Sequence, residues 1–162
     1  MADDELRTRN AWVVASFAAA LDLALVVCGF GFVSLLADVE VVGDPAVGAF
    51  VAPAAVAASV AAVFVTLGVR LRHPERMTLT VLVAAVGAWL AFVVVATAGR
   101  LLGSADAPGE SLRFGLVLGL GWFGLLVPVC AFVTAAFAVL VARGRQGGME
   151  RPRWPWEHDD ER

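Results

Sequence analysis

Residues 12–36 read WVVASFAAALDLALVVCGFGFVSLL, a run of mostly apolar side chains in which Asp22 is the one charged residue. A helix that crosses a hydrocarbon core of about 30 Å needs about 20 such residues, so this run predicts a membrane-spanning helix. The apolar region of a cleaved signal sequence holds about 7 to 15 residues. We therefore expect this longer run to stay in the protein.

Three further apolar stretches follow at about 46–71, 77–98 and 114–142, between a polar segment at 1–10 and a polar tail at 143–162. Of the 162 residues, 60% are hydrophobic and 17% are charged, and the mean hydropathy is +0.81. Soluble domains have about 45 to 50% apolar and 25% charged residues. The sequence predicts an all-α fold, a bundle of four transmembrane helices with little chain left for a soluble domain.

All 12 basic residues are arginine, and they are concentrated in alternate polar segments. Arg100 and Arg113 lie in the link between the third and fourth stretches, which is poorer in arginine. By the positive-inside rule, the richer segments and both termini are cytoplasmic, and the lysine-free composition points to a bacterial plasma membrane. This balance offers no broad basic surface for nucleic acid. The richer segments contain Arg7, Arg9, Arg70, Arg72, Arg76, Arg143, Arg145, Arg151 and Arg153.

Three residues of the second stretch recur, with the same mutual spacing, in the fourth stretch. This internal repeat favours two tandem copies of one helical hairpin, and a chance match among apolar residues is the alternative. The matched pairs, each 75 positions apart, are Pro53 with Pro128, Ser59 with Thr134, and Arg70 with Arg145.

Asp22 lies near the middle of the first stretch, where a charged side chain costs about 2.5 to 3.5 kcal/mol. Ser59 and Thr134 reach a similar depth, and we expect a protonated Asp22 to donate a hydrogen bond to one of them. Three interpretations stay open: the pair holds helices together, Asp22 belongs to a proton or ion pathway, or Asp22 contacts a partner's transmembrane helix.

Small residues recur at intervals of four on two helices. Gly115 and Gly119 form a G-x-x-x-G pair, and Ala54, Ala58 and Ala62 form a similar stripe. Such faces let helices approach closely, either inside one bundle or between subunits.

The run from Gly119 to Gly124 matches the G-x-G-x-x-G pattern of dinucleotide-binding proteins, but it lies inside an apolar stretch without the preceding strand that this motif requires. Pro53 and Pro128 each remove a backbone donor within an expected helix, so we expect kinks at both. Such kinks are either static or flexible.

The tail contains Arg151, Arg153, Trp154 and Trp156 in the run RPRWPWE. Proline spacing favours an extended conformation, and tryptophan prefers an apolar or interfacial environment. We expect the tail to contact lipid headgroups or, alternatively, a cytoplasmic partner.

The four short-looped helices, the all-arginine pattern and the RPRWPWE tail resemble small actinobacterial membrane proteins of unknown function. The resemblance implies an origin and no activity. His73 and His158 are isolated from other ligand residues, so we expect no cofactor, no metal and no catalytic residue.

We expect a noncatalytic protein of the lipid bilayer that associates with itself or with a membrane-protein partner. The alternative function is a small oligomeric transporter or channel that uses Asp22 as its proton or ion site.

Overall fold

The computed structural model describes residues 2–38, 50–71, 77–103 and 108–146 and, within these ranges, the side chains of all residues but 2–7, 77, 145 and 146. Every regular element in these ranges is a helix, and four of the five helices are long and apolar enough to cross a membrane. This confirms the predicted all-α bundle. The helices are α1 (Ala2–Ala37), α2 (Val51–Arg70), α3 (Met77–Gly103), α4 (Pro108–Leu120) and α5 (Trp122–Gln146), of which α4 is the short one.

Neighbouring helices run in opposite directions. The Trp12 ring near the start of α1 packs against Gly68 near the end of α2, and Val51 at the start of α2 lies against Gly99 near the end of α3. The helices α1 and α3 each pack against both α2 and α5. They therefore occupy opposite corners of the bundle.

A cluster of three phenylalanines joins α1, α3 and α5. The Phe30 ring centroid lies 5.2 Å from that of Phe123 and 6.4 Å from that of Phe92, with the rings steeply inclined to one another. Such edge-to-face pairs contribute about 0.5 to 1.5 kcal/mol beyond the burial of their area. The cluster fixes the start of α5 against α1 and α3.

The first helix is longer than predicted. Residues 1–10 were expected to form a polar segment, but α1 begins at Ala2. At the other end Asp38 has a φ of 52°, a left-handed conformation that aspartate tolerates better than most residues. The helix therefore stops at Ala37.

The third and fourth stretches also extend beyond their predicted ends. Helix α3 continues to Gly103 instead of ending at residue 98, and α4 begins at Pro108 instead of residue 114. Proline suits the first position of a helix, because the N–H that it lacks has no intrahelical partner there.

The fourth stretch is not the single helix predicted for 114–142. It is divided at Gly121 into α4 and α5, whereas α5 runs through Pro128 to Gln146. Glycine is the poorest helix former after proline, which explains why the interruption falls there. The break at Gly121 was not predicted, and the kink expected at Pro128, inside α5, stays a prediction.

The kink expected at Pro53 falls at the start of the described helix α2, and it stays a prediction. The described helix α2 begins at Val51 with Phe50 as its N-cap, so Pro53 lies in the first turn. A missing N–H in the first turn removes no intrahelical hydrogen bond. Residues 46–49, which were expected to start this helix, lie outside the described residues.

The residues of the proposed hairpin repeat have partly different surroundings. Ser59 and Thr134 are both fully buried. Pro53 lies at a helix start, however, whereas Pro128 lies inside a helix. The two hydroxyl residues are therefore alike in burial, the two prolines differ in helix position, and the repeat stays a prediction.

Candidate functional site

The inner face of α1 consists mainly of small side chains on one side of Asp22. Positions three and four residues apart share a helix face, and alanines on such a face let neighbouring helices approach closely. The buried residues along it are Ala11, Ala15, Ala18, Asp22, Val26 and Phe30.

Asp22 contacts Thr134 at the middle of the bundle. Asp22 is 1% exposed and Thr134 is fully buried, and the Thr134 Oγ1 atom lies 3.2 Å from Asp22 Oδ1. Asp22 is near the centre of the spanning segment Thr8–Ala37, and Thr134 is near the centre of Trp122–Gly144. The structure thus places together two of the three polar residues that the sequence singled out.

The Thr134 hydroxyl has one proton and three nearby acceptors. Its Oγ1 atom lies 2.8 Å from the Cys130 carbonyl oxygen and 3.2 Å from both the Ala131 carbonyl oxygen and the Asp22 Oδ1 atom. Because the shortest of these contacts is to Cys130, the proton is best placed there. Thr134 Oγ1 then has a lone pair for a carboxylic acid proton donated by Asp22.

The second carboxyl oxygen of Asp22, Oδ2, is buried and has no hydrogen-bond partner in the described part of the chain. A buried polar atom without a partner costs about 1 to 3 kcal/mol. The cost is larger for a charged oxygen, so this geometry suits the neutral acid. Since the carboxyl group is enclosed by its own bundle, it presents no surface to a partner's helix.

Ser59 takes a separate place in the bundle. It is fully buried, and its Oγ atom donates to the Val56 carbonyl oxygen of the same helix at 2.8 Å. The structure therefore pairs Asp22 with Thr134, and the Ser59 hydroxyl bonds within α2.

The glycine face of α4 packs against α3. A β-carbon at Gly115 would meet the Thr97 hydroxyl, and one at Gly119 would meet the Val93 side chain. These residues therefore permit the close approach of two helices within one chain. Ser111, one turn earlier, is buried on the same face.

Trp89 makes a hydrogen bond between helices that the sequence did not predict. Its indole Nε1 atom, on α3, donates to the Gly119 carbonyl oxygen at 2.8 Å. Gly119 lies in the last turn of α4, where carbonyl groups lose their intrahelical donors. Trp89 supplies one of these missing donors beside the break.

The corner between α4 and α5 is tight. The Gly121 N–H donates to the carbonyl oxygens of Val117 at 2.9 Å and Leu118 at 3.3 Å. A β-carbon at Gly124 would collide with the backbone of Leu118 and Gly119. The cluster of glycines in residues 119–124 was the available sequence signal for the corner.

The alanine stripe of α2 is only partly covered. Ala54 is exposed, whereas Ala58 and Ala62 are half-buried. At 100° per residue, these positions fall on the same side of α2 as Val51, which lies against Gly99 of α3. The stripe therefore borders the contact between α2 and α3.

An apolar groove of about 370 Å³ runs between α1 and α2. It is open to the surroundings of the bundle, and the residues that line it carry no polar side chain. They are Leu23, Val27, Phe30, Ala52, Pro53, Val56 and Ala57.

The tail residues Arg151, Arg153, Trp154 and Trp156 lie outside the described residues. Within the ranges that are described, no group of three or more His, Cys, Asp or Glu side chains is placed to bind a metal ion.

No curated protein matches this chain, and no solved structure matches it. One protein family does match, and its description is "Family of unknown function (DUF6121)". The match extends over residues 1–162, which is the whole chain, and the chain therefore belongs to this family.

Proposed function

We propose that this protein is a noncatalytic component of the bacterial plasma membrane that acts by association with another membrane-spanning protein. Its buried polar side chains Asp22, Ser59 and Thr134 are enclosed within the bundle, and large apolar side chains face outward along all four long helices. Within the membrane, such a surface offers packing contacts and little hydrogen bonding. This favours association over chemistry.

The groove between α1 and α2 is the observation that carries this proposal. Its α2 side is formed by the small residues Ala52, Pro53 and Ala57, which allow another backbone to approach closely. No charged or polar side chain lines it. We assign it to an apolar transmembrane helix of a partner protein.

The arginine distribution supports an orientation with both termini in the cytoplasm. In that orientation Arg151, Arg153, Trp154 and Trp156 lie beside the cytoplasmic membrane surface. They provide a second contact, with anionic lipid headgroups or with a cytoplasmic part of the partner.

The test is to extract a tagged copy from its native membrane in mild detergent and to measure the stoichiometry of whatever remains bound. The variant Ala57→Trp fills the groove, whereas Ala61→Trp places the same bulk at an exposed position of α2 outside it. We expect one partner at a fixed ratio with the wild type and with Ala61→Trp, and its loss with Ala57→Trp. Equal retention by both variants, or recovery with lipid alone, would contradict the proposal.

A second candidate function is a small oligomeric transporter or channel with Asp22 as its proton or ion site. The observation that favours it is that the buried Asp22 Oδ2 atom, beside the Thr134 hydroxyl, has no hydrogen-bond partner among the described residues. Polar groups that are costly at membrane depth commonly mark ion or proton pathways.

This candidate is tested by reconstituting the protein in liposomes and measuring proton and cation flux. Asp22→Asn keeps the side-chain shape and cannot ionise, and Ser16→Ala serves as a control at an exposed hydroxyl of the same helix. Flux that persists with Ser16→Ala and is abolished by Asp22→Asn would support transport. Absence of flux in the wild type would rule it out.

A further inference from the structure

At the corner of the fourth crossing, the Gly119 carbonyl oxygen accepts a hydrogen bond from a side chain of another helix. In a continuous α-helix the Gly119 carbonyl oxygen would accept the N–H of Phe123, four residues later. In the structure the helix is interrupted at Gly121, and the same oxygen accepts the indole N–H of Trp89 at 2.8 Å. Trp89 therefore takes the role that helix continuation would otherwise fill.

We infer that this crossing is a two-state element, bent when Trp89 bonds to Gly119 and straight when Phe123 does. A carbonyl group at membrane depth needs a donor, because lipid provides none. Each state supplies one donor to the Gly119 oxygen. Both arrangements therefore satisfy the carbonyl, which is the condition for an element with two discrete conformations.

The part that moves is α4. The start of α5 is held in the core by Phe123, whose ring packs against Phe30. The contact of α4 with α3, in contrast, is formed by Gly115 and Gly119, which have no side chain to interlock with α3. Straightening would carry α4 away from this surface.

One further contact has to be released in the straight state. The Arg100 guanidinium of α3 lies 4.8 Å from the centroid of the Phe114 ring of α4. A guanidinium over an aromatic ring is attracted to the ring face. This contact adds to the Trp89 hydrogen bond in favouring the bent state.

Gly124 offers an independent way to select between the states. In the bent state a β-carbon at this position would collide with the backbone of Leu118 and Gly119. A continuous helix has room for a β-carbon at every position, and alanine is its best former. Gly124→Ala should therefore favour the straight state.

The experiment measures the distance between spin labels at Leu112 of α4 and Leu35 of α1, both exposed, in a background with Cys28→Ala and Cys130→Ala. Trp89→Phe removes the N–H and keeps an aromatic ring, and Gly124→Ala excludes the bent corner. The matched controls are Trp122→Phe, at an exposed tryptophan, and Gly87→Ala, where nothing lies within 4 Å of an added β-carbon.

We expect both test variants to populate the same second distance severalfold more than the wild type and the controls do. Agreement between two chemically different substitutions distinguishes a second state from general loosening of the bundle. An unchanged distance in Trp89→Phe overturns the two-state corner, even if the Gly124→Ala protein is not produced in amounts that allow the measurement. Broadening without a common second distance also overturns it.

Discussion

Thr134 Oγ1 and Asp22 Oδ1 lie 3.2 Å apart at the centre of the bundle, although 112 positions separate the two residues in the chain. The contact joins α1 to α5, the first and last spanning helices. It is formed from two side chains that are costly to leave unpaired at this depth. The pair therefore specifies how the first and last spanning helices come together.

Replacing Thr134 by valine should destabilise the bundle. Valine matches the shape of threonine, but it removes the hydroxyl that Asp22 contacts. An interhelical hydrogen bond in a membrane contributes about 0.6 kcal/mol on average. The Asp22 carboxyl group, left without this partner, adds to the loss of stability. We expect a decrease of about 1 to 2 kcal/mol in the free energy of unfolding in detergent, with most of it restored in Thr134→Ser. A loss no larger than that of Ser59→Ala would argue against the pair.

Asp22→Asn should leave the fold intact. The amide group has nearly the shape of the carboxyl group, and its N–H can donate to Thr134 Oγ1. We expect a free energy of unfolding within about 1 kcal/mol of the wild type. A collapse of stability in this variant would mean that the charge of Asp22 holds the bundle together.

The fold was predictable because a long apolar run can adopt few structures in a bilayer. Every backbone group must be bonded internally there, so each run of about 20 residues becomes a helix. Depth counting along these helices also placed Thr134 at the level of Asp22. The choice of Thr134 over Ser59 could not be made from depth, because α1 packs against both α2 and α5. It depended on how the helices are turned, since the Ser59 hydroxyl bonds to Val56 of its own helix and the Thr134 hydroxyl lies against Asp22.

The corner at Gly121 was missed for a physical reason. A glycine in a membrane helix serves equally well for close packing, as at Gly115, and for a break, as at Gly121. The two uses differ in the residues that they contact, and the donor at this corner, Trp89, lies 30 positions before its acceptor Gly119. The effect of Pro53 similarly depended on where α2 begins.

Gly115→Ala should destabilise the contact between α3 and α4. The added methyl group would meet the Thr97 side chain and approach the Val93 carbonyl oxygen. Overpacking of this kind costs about 1 to 3 kcal/mol. Gly31→Ala is the matched control, because nothing lies within 4 Å of its added β-carbon. Equal stability of the two variants in thermal unfolding would contradict this packing.

Leu102 and Arg143 should be accessible from opposite sides of the membrane. Both are exposed, at the far ends of α3 and α5. In a cysteine-free background of this protein, expressed in cells, Leu102→Cys should react with a membrane-impermeant maleimide added outside the cells. Arg143→Cys should react only after permeabilisation, because the proposed orientation puts its end of α5 in the cytoplasm. The reverse pattern would invert the orientation.

The most direct test of the central claim is the mass of the intact particle released from native membranes, determined by native mass spectrometry. If the protein acts by association, its particle contains the 16.9 kDa chain together with a second membrane protein at a fixed ratio. Release of the single chain carrying only lipid, reproducibly and under conditions that preserve other membrane complexes, would contradict that claim.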